Sequence, residues 1–314
     1  MAKGNQPGLF IGRVVRCGFP CHAHFRLSLA AAGFPSAEPG QFVHLRCPDA
    51  LVREPTVVSR DACGADQSFW SAANPTAPLL RRPFSIAGLR LDGRTCEIDL
   101  LGRVVGPGTS WLASLAPGDA IDVLGPLGNA FSMPGSNRRA LLVAGGVGLP
   151  PIRWLGERLR TSDVPCDAIY GAQTRTLLPV TLLQEPSPAG DPTFCVAEFA
   201  RDGIPVAITT DDGSCGLRGR VTDRLSRYLD ECRDASLLVV YACGPHAMLR
   251  EVASICLRRR IECELAMERT MGCGLGTCQS CVVKVVDEAG AIGWRYALCC
   301  TEGPVFKASQ LIWE

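Results

Sequence analysis

The sequence predicts a three-part, multidomain chain: an antiparallel β-barrel, an α/β domain on a parallel sheet, and a small cysteine-rich C-terminal module. Three observations carry this prediction. Up to about residue 133, short apolar runs are broken by Gly and Pro. From about residue 138, apolar strands alternate with segments of helical period. The last stretch opens with MGCGLGTCQSC (271–281), three cysteines spaced C-x4-C-x2-C. The parts divide at 1–137, 138–264 and 265–314.

In the first part, FIGRVVRC, HFRLSLA, QFVHLRC, FSIAGLRL, CEIDLLGRVV and AIDVLG read as successive strands, punctuated by turns such as EPG, LDG and APGD. Several short strands at this spacing predict an antiparallel barrel. Residues 50–80, rich in Pro, Asn, Ser and Asp, read as a long surface loop.

In the second part, ALLVAGG (140–146) is a buried strand, and PPIRWLGERLR follows with helical spacing. DAIYGAQ is the next strand, and the apolar stretch through LLPVTLLQ reads as helix-like. PVAITTDDG is a third strand and GRVTDRLSRYLDEC an amphipathic helix. SLLVVYACG, the helix PHAMLREVASICLRRR and the strand IECELA complete the alternation. Continuous apolar strands alternating with helices predict a parallel sheet covered on both faces. The last part continues from its cysteine loop into the strand VVKVV, a turn and LCCTEGPVF.

Composition narrows the function. Thirty-two basic residues against 31 acidic ones leave no net field, so nucleic acid and anionic membrane gain no support as partners. No run approaches the ~20 apolar residues of a membrane-spanning helix, and MAKGNQPGLF lacks the apolar core of a signal peptide. The expectation is a soluble cytoplasmic protein. Seventeen cysteines without a signal peptide argue against a disulfide framework. Cys47, Cys96, Cys166, Cys195 and Cys256 stand singly among apolar residues and read as small buried hydrophobes.

The C-terminal cysteines demand another account. Cys273, Cys278 and Cys281 have the spacing of the plant-type [2Fe–2S] loop. Cys299 or Cys300 can supply the fourth thiolate. Glycines at 272, 274 and 276 let the loop wrap a cluster with backbone N–H groups aimed at its sulfurs. Structural zinc also takes four thiolates, but it favours paired C-x2-C knuckles, and only half of this site has that spacing.

RRPFSIAG (81–88) places Arg, Pro and Ser at the mouth of a barrel strand, where they can offer a flavin a phosphate partner, a hydroxyl and backbone amides. Arg-Pro ahead of a strand is commonplace, and the run gains meaning from RVVGPGTSWLASLAPGD (103–119). There Gly106, Gly108 and Thr109 precede a helix-like stretch suited to a pyrophosphate. GGVGLPP (145–151) follows the first parallel strand, and YACGPHAML (241–249) closes the fourth. Gly145, Gly146 and Gly148, with Cys243, Gly244 and Pro245, would then edge a nucleotide crevice for NAD. The run is not G-x-G-x-x-G, so the dinucleotide fingerprint itself is absent.

In this order of motifs the chain resembles the ferredoxin-reductase-type flavoproteins over nearly its whole length. Within them it is most similar to the electron-transfer subunits of NAD-dependent dihydroorotate dehydrogenases. RRPFSI, GPLGNAF (125–131), TDDGSCGLRGRVTD (210–223), ERTMGCGLGTCQSC and CTEGPVF carry the likeness. The resemblance implies that Arg82, Pro83, Phe84 and Ser85 bind FAD, with Leu101, Gly102, Arg103, Gly108 and Thr109 completing its site. It selects Cys300, three residues before GPVF, as the fourth ligand beside Cys273, Cys278 and Cys281. Sister NADPH:ferredoxin reductase subunits carry aspartate where this chain has Cys273. Gly102 stands where relatives often have an aromatic residue, and the stretches 50–80 and 281–300 are longer than the family pattern.

The resemblance further implies a relay in which FAD exchanges hydride with NAD(H), the cluster carries single electrons, and a barrel-type FMN subunit oxidises dihydroorotate to orotate for pyrimidine biosynthesis. A heterotetramer with two subunits of each kind is expected. No acid–base constellation is needed: His22, His24, His44 and His246 are dispersed and read as surface or structural. The Asp211–Asp212 pair reads as a capped turn. Two alternatives remain at this point: a sister reductase subunit serving ferredoxin, sulfide or hydrogenase, and a zinc-stabilised interaction protein without flavin.

Overall fold

The computed structural model describes residues 7–47, 80–93, 95–290 and 292–313. The loop expected over 50–80 lies, up to residue 79, outside them.

Six strands close a barrel in the order β1-β2-β5-β4-β3-β6. They are β1 (Gly8–Cys21), β2 (His24–Ala32), β3 (Phe42–Leu45), β4 (Arg82–Asp92), β5 (Thr95–Arg103) and β6 (Ala120–Leu127). All six were legible as apolar runs, and every pairing is antiparallel. The period-2 alternation sends Phe25, Leu27, Leu29, Ile86, Ile98 and Leu100 into one buried core. Between β5 and β6, α1 (Pro107–Ala113) begins with Pro in its first turn, where the missing N–H costs nothing.

The second unit runs β7 (Arg139–Gly145), α2 (Leu149–Thr161), β8 (Cys166–Ala172), α3 (Ala197–Ala200), β9 (Val206–Thr210) and β10 (Leu217–Arg218). It continues with α4 (Val221–Glu231), β11 (Leu238–Cys243), α5 (His246–Arg258) and β12 (Glu262–Ala266). The sheet order is β10-β9-β8-β7-β11-β12, all parallel. The chain winds outward from β7 through β8 and β9, then returns to start again at β11. The topological switch point therefore lies between β7 and β11.

The stretch through LLPVTLLQ is not helical. A single 3-10 turn at Arg175–Leu177 ends in an extended Leu178, and an isolated bridge joins Leu182 to Val196. Pro179 supplies the reason: it has no N–H to donate, and its ring drives the preceding residue out of the helical region.

The C-terminal part holds the hairpin β13 (Val282–Val286) and β14 (Trp294–Leu298), then β15 (Val305–Lys307). β15 joins the nucleotide-type sheet, antiparallel to β12, with Ala266 opposite Val305. One core runs through both pieces, because Met271, Cys281, Val283, Cys299 and Phe306 pack in the same buried cluster as Val240, Leu249 and Leu265. Among the described residues, no helix is long and apolar enough to cross a membrane.

Candidate functional site

The strand register arranges the RRPFSI motif. In the β3–β4 pair, Phe42 lies opposite Ser85, Val43 opposite Phe84, His44 opposite Pro83 and Leu45 opposite Arg82. Opposed residues share a face. Phe84 and Val43 thus point into the barrel core, while Pro83 and Ser85 share the outer face with His44 and Phe42. Arg82, at the strand's start, crosses the barrel mouth to α1: a Cβ on Gly108 would stand 3.1 Å from its Nε. Its Nη1 donates to the Leu80 carbonyl at 2.8 Å. Thr109 Oγ1 accepts the N–H groups of Val105 and Gly106 at 2.9 and 3.1 Å, fixing the turn that presents Gly108.

On β5 the expected residues divide between faces. Leu101 packs outward, in one buried cluster with Phe131 and with Ala140 and Leu149 of the second unit. Gly102 faces inward, where a Cβ would lie 2.5 Å from the Phe25 ring and 2.7 Å from that of Phe84. Those two rings meet edge to face at 6.0 Å and occupy the space a side chain at 102 would need. Arg103 is exposed and lies opposite His24 on β2.

At the switch point the two glycine turns touch. Ala144 pairs with Cys243 in the β7–β11 register. A Cβ on Gly148 would fall 2.2 Å from the Cys243 carbonyl oxygen and 2.6 Å from the Gly244 nitrogen. On Gly145 it would meet the Met248 thioether at 2.4 Å, with Pro245 at 3.3 Å. Gly146, at φ +53°, has open space around it. The structure therefore gathers Gly145, Gly146, Gly148, Cys243, Gly244 and Pro245 at one sheet edge. Burial pushes the Cys243 thiol up to about 12, so it is a neutral group there.

The cysteine loop follows β12. Cys273 Sγ accepts the backbone N–H groups of Leu275 and Cys278 at 3.4 Å each. Gly274 and Gly276, at φ +74° and +84°, turn the chain as side-chain-bearing residues rarely do. Cys278 is exposed, and hydrogen bonds, first from the Ser280 hydroxyl, bring its thiol down to about 6. Cys281 and Cys300 are buried neighbours whose thiols are hydrogen-bonded, and the Gly276 N–H also reaches Cys300. Burial is the larger influence on Cys300, raising it to about 11. Among the described residues, no three His, Cys, Asp or Glu side chains converge on a single ion position. The thiols stand instead as two pairs, Cys273 with Cys278 and Cys281 with Cys300. Two pairs of thiols, with the Leu275 and Cys278 N–H groups on Cys273 and the Gly276 N–H on Cys300, would fit a binuclear iron–sulfur cluster, one pair to each iron. Cys299 is fully buried in the apolar core, and its thiol is pushed up to about 12, chiefly by that burial.

The family model for the iron–sulfur cluster binding domain of dihydroorotate dehydrogenase B matches residues 268–312. The electron transfer subunit of dihydroorotate dehydrogenase B (NAD+) from Geobacillus kaustophilus is 36% identical over 277 residues, spanning 88% of this chain and 87% of that protein. The corresponding subunit from Desulforamulus reducens is 33% identical over 279 residues, 88% of each chain. The chain belongs to this family of electron-transfer subunits. Among solved structures, an NADH-dependent reduced ferredoxin–NADP oxidoreductase shares the fold, with a TM-score of 0.70 at 22% identity over 96% of this chain and 90% of that one. The ferredoxin reductase of carbazole 1,9a-dioxygenase shares it with a TM-score of 0.60 at 16% identity, over 82% and 68% of the two chains.

In this electron-transfer subunit the GPLGNAF motif has a mechanical role that its residue types alone do not announce. Asn129 Nδ2 donates to the carbonyls of Glu302 and Val305 at 3.0 and 2.9 Å, and Oδ1 accepts the Val305 N–H at 2.9 Å. Gly128, at φ +74°, lets Pro304 approach: a Cβ there would be 2.5 Å from Pro304 Cδ. GPLGNAF at the barrel's end and CTEGPVF at the chain's end are thus two halves of one latch.

Other expectations sort plainly. Asp212 caps its turn, accepting the Ser214 N–H at 3.0 Å and its hydroxyl at 2.7 Å. Cys47, Cys96, Cys195 and Cys256 are buried, whereas Cys166 is only partly so. Of the histidines, His24 and His44 are buried.

Proposed function

We propose that this electron-transfer subunit holds FAD on the outer face of β4 and a [2Fe–2S] cluster in the loop after β12. NAD(H) binds at the β7–β11 switch point. Arg82 pairs with a flavin phosphate across Gly108 and Thr109; Pro83 and Ser85 border the ring; Leu101 closes the side toward the second unit. Phe84 and Gly102 support the site from inside the barrel, and Arg103 marks its rim. Gly145, Gly146 and Gly148, with Cys243, Gly244 and Pro245, let the nicotinamide nucleotide approach the backbone. Cys273, Cys278, Cys281 and Cys300 ligate the cluster. The units 1–137, 138–264 and 265–314 correspond to these three tasks. FAD, when bound, supplies the conversion between a hydride pair and single electrons.

The observation that carries this reading is the contact of the cysteine loop with the flavin-type strands. A Cβ on Gly274 would meet the His44 ring at 3.0 Å, and His44 lies opposite Pro83. Electrons then pass from the sheet edge to the loop without leaving the chain. The loop's surroundings suit onward transfer to a partner. Leu275 is 52% exposed and Tyr296 57%, so apolar surface stands free next to the cysteines. We assign this surface to an FMN-containing dihydroorotate dehydrogenase subunit, two copies of each chain forming a cytoplasmic heterotetramer.

The test is anaerobic purification of the tagged chain from its host, followed by an assay for dihydroorotate-dependent NAD+ reduction. Activity with a second, FMN-containing chain in the eluate is the expected result. FAD and iron in an eluate inactive with dihydroorotate would overturn the partner assignment. A colourless eluate would overturn the cofactor assignment.

A further inference from the structure

His44 is fully buried, yet neither ring nitrogen has a hydrogen-bond partner. A neutral imidazole carries one donor and one acceptor, and leaving both unmet in a protein interior forfeits the hydrogen bonds that each would make in water. A buried polar group without a partner calls for a specific explanation, and a bound water, ion or cofactor is one of the commonest.

The ring's surroundings say where that partner lies. Phe42 and His44 lie on the outer side of β3, since Val43 and Leu45 belong to the barrel core. On one flank β4 places Pro83 opposite His44, and on the other β6 places Leu124 opposite it. Phe42 covers it along its own strand, the ring centroids 5.6 Å apart. None of these offers the imidazole a polar partner. The remaining side is closed by the cysteine loop: a Cβ on Gly274 would stand 3.0 Å from His44 Cε1 and 3.1 Å from Nδ1. Gly274 follows Cys273 directly, and its lack of a side chain is what lets the loop backbone lie on the ring. Leu127, 3.1 Å from the same position, holds the loop from the barrel side.

We propose that His44 donates a hydrogen bond from the barrel to a sulfur of the [2Fe–2S] cluster, and so sets the cluster's reduction potential from the flavin side. This rests on the reading of the cysteine loop as the cluster site. His44 is a positioning residue: it ligates no iron, and the four thiolates are complete without it. A donor facing a cluster sulfur stabilises the reduced, more negative form and raises its potential. The same imidazole ties the loop to the strand pair that carries Pro83 and Ser85, so cluster and flavin motif keep a fixed separation.

The experiment uses the full chain with its cofactors. The chain contains four histidines. Protein labelled with 15N-histidine is reduced and examined by pulsed electron paramagnetic resonance for coupling between the cluster spin and a histidine nitrogen. Coupling is expected in the unaltered chain and is expected to vanish in His44→Gln. Redox titration of His44→Phe, with iron and acid-labile sulfide intact, should show a roughly tenfold loss of reduced cluster at fixed poise, about 59 mV to the negative side for one electron. His44→Gln keeps an N–H donor and should recover part of that loss. No histidine coupling in the unaltered, fully loaded protein would overturn the proposal even if His44→Phe fails to fold. So would an unchanged potential in a loaded His44→Phe. An unaltered chain without iron and sulfide overturns the cluster reading itself, a distinct failure visible before any histidine is replaced.

Discussion

Asn129 and Val305 exchange hydrogen bonds as paired strand residues do, side-chain amide to backbone, at 2.9 Å in both directions. With the third bond to Glu302, this pair fastens the end of the chain to the end of the barrel. Asn129→Ala removes all three bonds and strands the Val305 N–H in a half-buried setting. The expected cost is on the order of 1–3 kcal/mol. Urea titration followed at two wavelengths checks it: the cluster's absorbance should be lost at a lower midpoint than in the unaltered chain, with flavin release following later. An unchanged midpoint would show that β15 holds itself to β12 without the latch.

Arg82 and Gly108 meet at the barrel mouth, and a second prediction rests on them. Arg82→Ala removes the proposed charge-assisted phosphate partner, so FAD affinity should fall by tenfold or more, since such bonds contribute about 1.5–3 kcal/mol. Arg82→Lys should recover only part, because an ammonium lacks the planar fork. Iron content should stay unchanged in both. Stoichiometric FAD in Arg82→Ala after gel filtration would remove Arg82 from the site.

At the sheet edge the glycines are not equivalent. Gly148→Ala drives a methyl into the Cys243 backbone, 2.2 Å from its carbonyl oxygen, and backbone cannot step aside as a side chain can. Gly145→Ala meets the flexible Met248 thioether. Gly148→Ala should therefore be destabilised by roughly 1–3 kcal/mol and show a raised KM for NADH, with flavin content kept. Gly145→Ala should be the milder variant on both counts. The reverse order in steady-state kinetics would mean that the two turns do not form the nucleotide crevice.

The barrel was legible because its inner face alternates: Phe84 and Ile86 point inward against partly exposed neighbours, and only past the irregularity before Gly88 does the phase shift to Leu89. The parallel strands were legible as unbroken apolar runs. The segment after β8 misled because its leucines have helical density while Pro179 sits among them. β15 was not foreseen as part of the large sheet, since three residues carry no period, and their place depends on Gly128 and Asn129 far away in sequence. The cofactor motifs could be read as types and spacings, but their division between barrel interior and outer face at Gly102 and Leu101 comes only with register. The burial of His44 was not legible for a related reason. On an isolated strand its outer position means solvent, and only the docked cysteine loop turns that face into an interior.

The adjacent thiols Cys299 and Cys300 give the sharpest contrast, because one step along the chain separates a side chain without a thiol partner from the proposed cluster ligand. Cys299 is enclosed by the apolar core it shares with Met271, Val283 and Phe306, and its backbone N–H is already used by the Cys281 carbonyl at 3.0 Å. Cys300 lies in the same buried cluster, but its thiol is hydrogen-bonded with the Cys281 thiol and is reached by the Gly276 N–H. Cys300→Ser should abolish the cluster's visible and paramagnetic signals, or leave a labile remnant, because the harder alkoxide replaces a thiolate at one iron. Cys299→Ser should keep those signals while losing about 1–3 kcal/mol of stability, the cost of a buried hydroxyl without a partner. Cys299→Ala carries no hydroxyl, so it should keep the cluster and regain part of that stability. Iron and sulfide analysis of the three variants decides the matter: cluster loss in Cys299→Ser and Cys299→Ala, with retention in Cys300→Ser, would exchange the roles of the two cysteines.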